Sequence, residues 1–536
     1  MSRPTPTVVT GQDCLVTSGS VLATKAGLET LASGGSAFDA AVTVASCLMV
    51  ALPMSCGLGG DLVFMGFDAA AGTPIQHAFL GRAPAHATPA NVARGGSIPL
   101  HGILAATIPA AAEGLLEFHR RYARRPLREL LHAARSAADD GLRVSPQFSR
   151  WTSNNLPVVL ASPALSAIYA PDGDAVTEGS LLLQAGLGVS LGLMAERSAA
   201  VVLAELRQEV LRLSAQHGGL FSAADLHESQ ELLSPALTFT VGSRQLLTPN
   251  LPTQGYMIGQ SLNAFAAVTA QAPAAGPAEE IHVWTEIFNQ IYGLRLAHLA
   301  DPEVSPAATD VLCADAVSRI AAAVDRRIRT PLRYRNYYDE GDTTQFVVKD
   351  AAGNLVSGIM SLSHGFGCGV SSATYGLTLS NRLGRSSTAD PRQANCVGPR
   401  KRPVNTIMTY LVMEDGAPFL AGGTPGGDGQ AQWNSVFLAD VLLHGHSPEI
   451  AIARPRFTLV PGADKGESAM AEGLEIETGY GDEVYDELRS RGHTLKIKPR
   501  VQGALRSVAQ QGGQWIAVDD GHEEGLTAAA PLNQQP

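Results

Sequence analysis

Apolar positions along the first third of the chain recur mostly at helical spacing. Val21, Ala26, Leu28 and Leu31 fall on spaced positions before Gly34-Gly35, which predicts a helix over 21–33. The next segment, Ala37–Ala51, is almost wholly apolar and predicts a central helix that stops at Pro53. The apolar run 37–53 approaches the length of a membrane span, but Asp39 and the glycine-rich exit assign it to a buried core. Ser55-Cys56-Gly57-Leu58-Gly59-Gly60-Asp61 reads as a turn, and 62–67 as a short buried strand. Helical patterning returns over 110–141, with a break at Pro126, and again over 186–216 and 279–299. The first 340 residues are therefore expected to be mostly helical, with short strands between.

The pattern changes after Arg333-Tyr334-Arg335-Asn336-Tyr337-Tyr338. Residues 342–348 are rich in β-branched and aromatic side chains, 350–354 has turn composition, and 355–362 runs back as a second strand. Further strands are predicted at 377–381, 406–413 and 419–421, and a helix at 432–443. No fixed-period repeat is present, and the one low-complexity stretch is the polar tail 531–536. An α-rich front and a β-rich back are compatible with a layered α/β body.

Composition narrows this picture. A chain of 536 residues has room for three or four domains of roughly 100–200 residues, or for one merged body. With 45% hydrophobic and 17% charged residues it can bury a large core, which excludes global disorder. The 50 acidic residues outnumber the 39 basic ones, giving a net charge of −11 that argues against a nucleic-acid-coating surface. Cys14, Cys47, Cys56, Cys313, Cys368 and Cys396 form no C-x-x-C pair, so neither a disulfide scaffold nor a zinc site is expected. The N-terminal stretch lacks the apolar segment of a secretory signal. The expectation is a soluble cytoplasmic protein with no membrane partner, no metal and no cofactor.

The sharpest chemical signal is Gly341-Asp342-Thr343-Thr344-Gln345-Phe346 at the front of the predicted hairpin. A threonine that begins a chain can act as a nucleophile, with its own α-amino group taking the proton. Starting a chain at Thr343 requires a cut after Asp342, which attack of the Thr343 hydroxyl on the preceding carbonyl would produce through an N-to-O acyl shift. Two threonines opening a strand are also ordinary β-formers. Gly423–Gly429 has no following Lys-Ser/Thr and so is a poor phosphate loop, and 57–60 lacks the dinucleotide frame. His444-Gly445-His446 shows no third ligand and reads as a loop at a helix end, and Cys368 as a small buried thiol.

An ordered set of segments resembles the γ-glutamyltransferase family of N-terminal-nucleophile hydrolases over nearly the full length. They are Gly34–Ala41, Pro53–Asp61, Asp140–Pro146, Pro249–Gly255, Asp342-Thr343-Thr344, Gly353-Asn354, Phe366–Gly369, Lys401-Arg402-Pro403 and Gly423–Gly427. The resemblance implies a four-layer αββα sandwich of the α/β (α+β) class. It implies cleavage between Asp342 and Thr343 into a helix-rich large subunit, 1–342, and a small subunit, 343–536. The two would form one intertwined body and pair with each other, with a dimer of such heterodimers as one arrangement. Thr343 matches the nucleophile, and Thr344 a residue holding the processed terminus. Ser361 stands where the family has a threonine that positions the nucleophile, and the backbone N–H groups of Gly426 and Gly427 match the oxyanion hole.

The departures from the family cluster in the substrate pocket. Where the family has an acidic residue for the glutamate ammonium, this chain has Ser380-Asn381-Arg382-Leu383-Gly384-Arg385. Cationic Arg382 and Arg385 would repel an ammonium and attract a carboxylate. The family's paired serines become Asn405-Thr406, and Leu80 replaces an arginine, with Arg82 two positions later. The stretch 381–402 holds six basic residues against one acidic, which is either a solvated basic loop or the wall of an anion pocket with 386–399 as its rim or mobile lid. The pocket reading implies hydrolysis of a small carboxylate-bearing amide, as in the oxamate amidohydrolase branch. Two alternatives remain: a glutathione hydrolase/γ-glutamyltransferase, and a non-catalytic scaffold member.

Overall fold

The computed structural model describes residues 5–11, 13–333, 342–460 and 472–530. Thirteen strands build its two main sheets. They are β1 (Thr7–Gly11), β2 (Cys14–Ser18), β3 (Asp61–Asp68), β4 (Thr73–Phe79), β5 (Leu237–Val241), β6 (Arg244–Thr248), β7 (Asp342–Lys349) and β8 (Leu355–Ser363), followed by β9 (Thr409–Glu414), β10 (Ala417–Gly423), β11 (Arg506–Gln511), β12 (Gln514–Asp519) and β13 (Leu526–Ala530). One sheet runs β1-β12-β11-β10-β9-β6-β5 and the other β13-β2-β7-β8-β3-β4. Every pairing in both is antiparallel.

The sheets stack on an apolar cluster of Leu15, Met65, Val347, Leu355, Leu411, Ala421 and Val508. The outer face of the β7-containing sheet is covered by helices α1 (Val21–Ala32), α2 (Ala37–Ala51) and α3 (Ala111–Tyr122), which share a core with Phe64, Phe346, Val348 and Val356. Helices α4 (Gly255–Gln271), α5 (Pro277–His298) and α6 (Gly429–Leu442) cover the other sheet, packing on Tyr410, Val412, Leu420 and Ile516. The result is the expected four-layer αββα sandwich.

The predicted central helix is buried at every residue. Its start is fixed by a capping box in which Ser36 Oγ accepts from the Asp39 backbone and Asp39 accepts from the Ser36 backbone. The other Asp39 oxygen accepts from Arg124 and Arg125 N–H at 2.8 and 2.9 Å. The charge that argued against a membrane span is thus a helix cap held by three backbone N–H groups and the Ser36 hydroxyl. No described helix is long and apolar enough to cross a membrane.

The division into a helical front and a β-rich back needs correction. Six of the thirteen strands come from residues before 250, and α4, unpredicted, also lies in the front portion. Of these six, β3 was expected at 62–67; β2 escapes the pattern because it is buried on both faces, so alternation vanishes there, while β1, β4 and β5 are short and partly exposed. The strand expected at 377–381 shrinks to Leu377–Thr378, and the six described strands after residue 450 were not anticipated. The polar tail 531–536 and residues 334–341 of the composition change lie outside the described residues.

Candidate active site

Side chains alternate along β7, and this decides what each threonine meets. Phe346 and Val348 face the helical layer, whereas Val347 faces the opposite sheet. Thr343 shares parity with Val347 and points into the inter-sheet space; Thr344 shares parity with Phe346 and points toward Gly19 and Leu52. A Cβ on Gly19 would lie 3.2 Å from Thr344 Oγ1 and 3.3 Å from Leu52, and Thr344 Oγ1 has no hydrogen-bond partner among the described residues.

Opposite Thr343 the ladder is irregular. Met360 pairs with Thr344 and Ser363 with Asp342, so Ser361 and Leu362 together oppose one residue. This bulge turns Ser361 toward the start of β7. The Thr343 hydroxyl donates to Ser361 Oγ at 3.1 Å, and Ser361 Oγ donates to the Asp342 carbonyl oxygen at 2.7 Å. Ser361 Oγ also receives the Ser363 N–H at 2.8 Å. One side chain therefore touches both the Thr343 hydroxyl and the carbonyl that precedes it. Ser55 Oγ donates to the Asp342 carboxylate.

Behind Ser361 lies Arg382, fully buried on the short helix Arg382–Ser386. That helix is seated tightly: a Cβ on Gly384 would overlap the Pro99 carbonyl oxygen at 2.1 Å. Arg382 donates through Nε to Asp61 at 3.1 Å, through Nη1 to Thr406 Oγ1 at 3.2 Å and through Nη2 to Ser361 Oγ at 3.2 Å. Burial lowers the pKa of its guanidinium, and Asp61 opposes that shift. Asn405 Nδ2 reaches the same Asp61 oxygen at 2.8 Å, while the Gly81 N–H holds the other at 2.8 Å. Asp61 is thus the hub of the cluster. Sequence reasoning placed it in a glycine-rich segment without giving it a role; its position as the first residue of a buried strand was the available signal.

The glycine loop approaches from the other sheet. Val347 and Ala421 share the inter-sheet core, and a Cβ on Gly423 would lie 3.1 Å from Gln345. Residues after Gly423 therefore run toward Thr343. Gly426 and Gly427 have φ of 118° and 54°, conformations that favour glycine, and a Cβ on Gly426 would strike the Trp433 ring at 2.4 Å. The loop ends at the start of α6, where Asp428 is held by Arg295 at 2.6 Å and Gln254 at 3.1 Å.

The other predicted residues separate. Arg385 is buried on the same short helix, one turn from Arg382, and its charge acts on His364 and Asp428. Arg82 instead donates to the Ser229 carbonyl at 2.7 Å and pairs with Glu303 at 2.8 Å. Among the six basic residues of 381–402, Arg392 pairs with Asp390 and Arg400 with Glu228 at the surface, Lys401 donates to the Ala394 carbonyl, and buried Arg402 pairs with Glu303. Of these six, Arg382 bonds directly into the Thr343 cluster, through Ser361 Oγ. The proposed rim is tied to itself by Thr388 N–H to Asn395 and Val397 N–H to Thr388, at 3.2 and 2.8 Å. Burial pushes the Cys368 thiol up to about 12, which keeps it protonated at neutral pH.

The gamma-glutamyltranspeptidase model matches residues 23–530. The chain belongs to this family. It is 31% identical over 494 residues to the glutathione hydrolase-like YwrD proenzyme of Bacillus subtilis, covering 91% of this chain and 92% of that protein. It is 28% identical to the oxamate amidohydrolase proenzyme of Klebsiella pneumoniae, over 89% and 90% of the two chains. Its fold is similar to that of the cephalosporin acylase of Bacillus halodurans, with a TM-score of 0.87 at 22% identity and coverage of 98% and 97%. The protein is accordingly a hydrolase acting on amide C–N bonds, which sets aside the scaffold alternative.

Proposed function

We propose that the chain is a self-processing amidohydrolase with Thr343 as nucleophile, acting on a small carboxylate-bearing amide such as oxamate. The observation that carries the nucleophile assignment is the Ser361 hydroxyl, which contacts Thr343 Oγ1 at 3.1 Å and the Asp342 carbonyl oxygen at 2.7 Å. In processing, Thr343 Oγ attacks that carbonyl, the C–N bond to Thr343 breaks, and the resulting ester is hydrolysed by water. The freed α-amine, with an ordinary pKa of about 7.7–8.0, then takes the proton from Oγ when a substrate amide is attacked. The amine leaves, water hydrolyses the acyl-enzyme, and the Gly426 and Gly427 N–H groups meet the oxyanion in each tetrahedral intermediate.

The substrate reading rests on two buried cations of one short helix, Arg382, which bonds to Ser361 Oγ while paired with Asp61, and Arg385 one turn further on. A γ-glutamyl substrate needs an acidic group for its ammonium. Asp61 is the acid at hand, but its oxygens already accept from Gly81, Arg382 and Asn405. That commitment favours an amide without an ammonium. The processed subunits 1–342 and 343–536 would stay paired, because each contributes strands to both sheets.

Thr343→Ala is expected to remain one polypeptide on a denaturing gel and to release no ammonia from any amide; a normally cleaved and active variant would overturn the assignment. Ammonia release from oxamate without transfer from a γ-glutamyl anilide to glycylglycine is expected of the wild type. The reverse pattern would replace the small-amide reading with the γ-glutamyl one.

A further inference from the structure

Outside the Thr343 cluster, one group of side chains has the arrangement of a cation site. Asp440 is buried in the last turn of α6, and the chain leaves the helix through His444, Gly445 and His446. Gly445 has φ of 70°, and the His446 N–H returns to the Asp440 carbonyl at 2.9 Å. This turn folds both imidazoles back over the Asp440 carboxylate. His444 Nδ1 lies 3.2 Å and His446 Nδ1 3.6 Å from the same oxygen, Oδ1. The three ligand atoms all lie within 4.8 Å of one another. The sequence showed two histidines without a third donor; the helix supplies it four residues upstream of His444.

We infer that Asp440, His444 and His446 form a binding site for a divalent transition cation of the Zn²⁺ class. Zinc bonds to imidazole nitrogen and carboxylate oxygen are about 2.0–2.2 Å, so ligand atoms on a tetrahedral edge stand roughly 3.3–3.5 Å apart. The 3.2 and 3.6 Å separations bracket that edge. Two nitrogens and one oxygen suit zinc better than magnesium or calcium, which take all-oxygen sets. Both histidines are partly exposed, with 33% and 49% of their side-chain surface accessible, which leaves an entry path and a fourth position for water.

Local charge also favours a cation. Arg454 contacts Asp440 at 3.0 Å and Glu280 at 2.8 Å, so two carboxylates face one guanidinium. The net charge of that trio is −1 before the imidazoles are counted. The site also caps the C-terminal end of a 14-residue helix, where the aligned peptide dipoles favour positive charge. Arg454 acts as the outer partner that orients the ligating carboxylate. The bound ion would clip residues 443–446 onto α6, far along the helix from the glycine loop that precedes it.

The test uses tag-free full-length protein stripped with a chelator and titrated calorimetrically with Zn²⁺ alone. One site is expected, weakened at least tenfold by His446→Ala and again by His444→Gln. Zn²⁺ should raise the melting temperature of the wild type but not of His446→Ala, whose amide hydrolysis and metal-free melting temperature stay at wild-type values. Substituted Co²⁺ should give the visible band of a tetrahedral centre. Absence of Zn²⁺ binding, or equal binding by wild type and both variants, would overturn the site.

Discussion

Two buried charge clusters flank the beginning of β7, and they are satisfied to different degrees. In the first, Arg382, Asp61, Asn405, Thr406 and Ser361 form a connected hydrogen-bond network that ends on Thr343. In the second, Arg506 donates through Nε to Asp519 at 2.7 Å, but Nη1 and Nη2 have no hydrogen-bond partner among the described residues. Glu523 stands 3.7 Å from Nη1, and its Oε2 is likewise without one. Nearby, Asp520 pairs with Arg456 and His522 with Glu477. Networks with every member bonded fix geometry, whereas under-bonded buried charges remain sensitive to protonation. The first cluster therefore fixes the position of a hydroxyl, whereas in the second burial raises the carboxyl of Glu523.

The largest effect expected from this contrast is at Arg382. Arg382→Ala leaves Asp61 buried without its counter-ion and should cost about 3–5 kcal/mol in a chemical denaturation series. Adding Asp61→Ala should recover part of that loss, because the two residues act as one unit. Purely additive losses would mean that the network is not coupled.

Glu523 should give the next largest effect, and one that depends on pH. Burial pushes its carboxyl up to about 7; Arg506 opposes the rise, and Asp342 and Asp520 add to it. The unfolded chain releases this proton near pH 4.5, so between about 4.5 and 7 the folded state binds more protons and stability falls as pH rises. Relative to Glu523→Gln, the wild type should lose roughly 3 kcal/mol across that window. Parallel stability curves for the two proteins would place the ordinary carboxyl pKa back in the fold.

A smaller and more local loss is expected at Ser361. Ser361→Ala keeps the β8 backbone but removes the contacts to Thr343 and to the Asp342 carbonyl. Self-cleavage should slow by tenfold or more, since such a hydrogen bond contributes about 1–3 kcal/mol, and Ser361→Thr should restore it. Cleavage at the wild-type rate in Ser361→Ala would detach the first cluster from processing.

Much of the fold was legible where local pattern and final environment agree. The continuous apolar run of α2 and the β7–β8 hairpin emerged with boundaries off by a residue or less, whereas the Ser36–Asp39 capping box was seen only in the structure. Among the front strands β3 was legible in its apolar run at 62–67, whereas β2, buried at every residue, lacks the polar face that marks a strand, and β1 and β5 are five-residue strands at the sheet edges. At the site, the Asp342-Thr343-Thr344 motif and the glycine loop identified the elements that converge. Arg382 was found, but as a lone cation facing a ligand; that Asp61 already neutralises it depends on a contact across 321 residues of sequence.

The sequence by itself determined the family, the four-layer class and the threonine at the head of β7, because these reside in motifs and in short-range order. Tertiary structure alone decided which charges are paired, which face of β7 each threonine takes, and that Asp440 joins His444 and His446. Hydrogen bonds and ion pairs act over a few ångströms in space, and the chain brings those partners together only when the two sheets stack and the helices close over them.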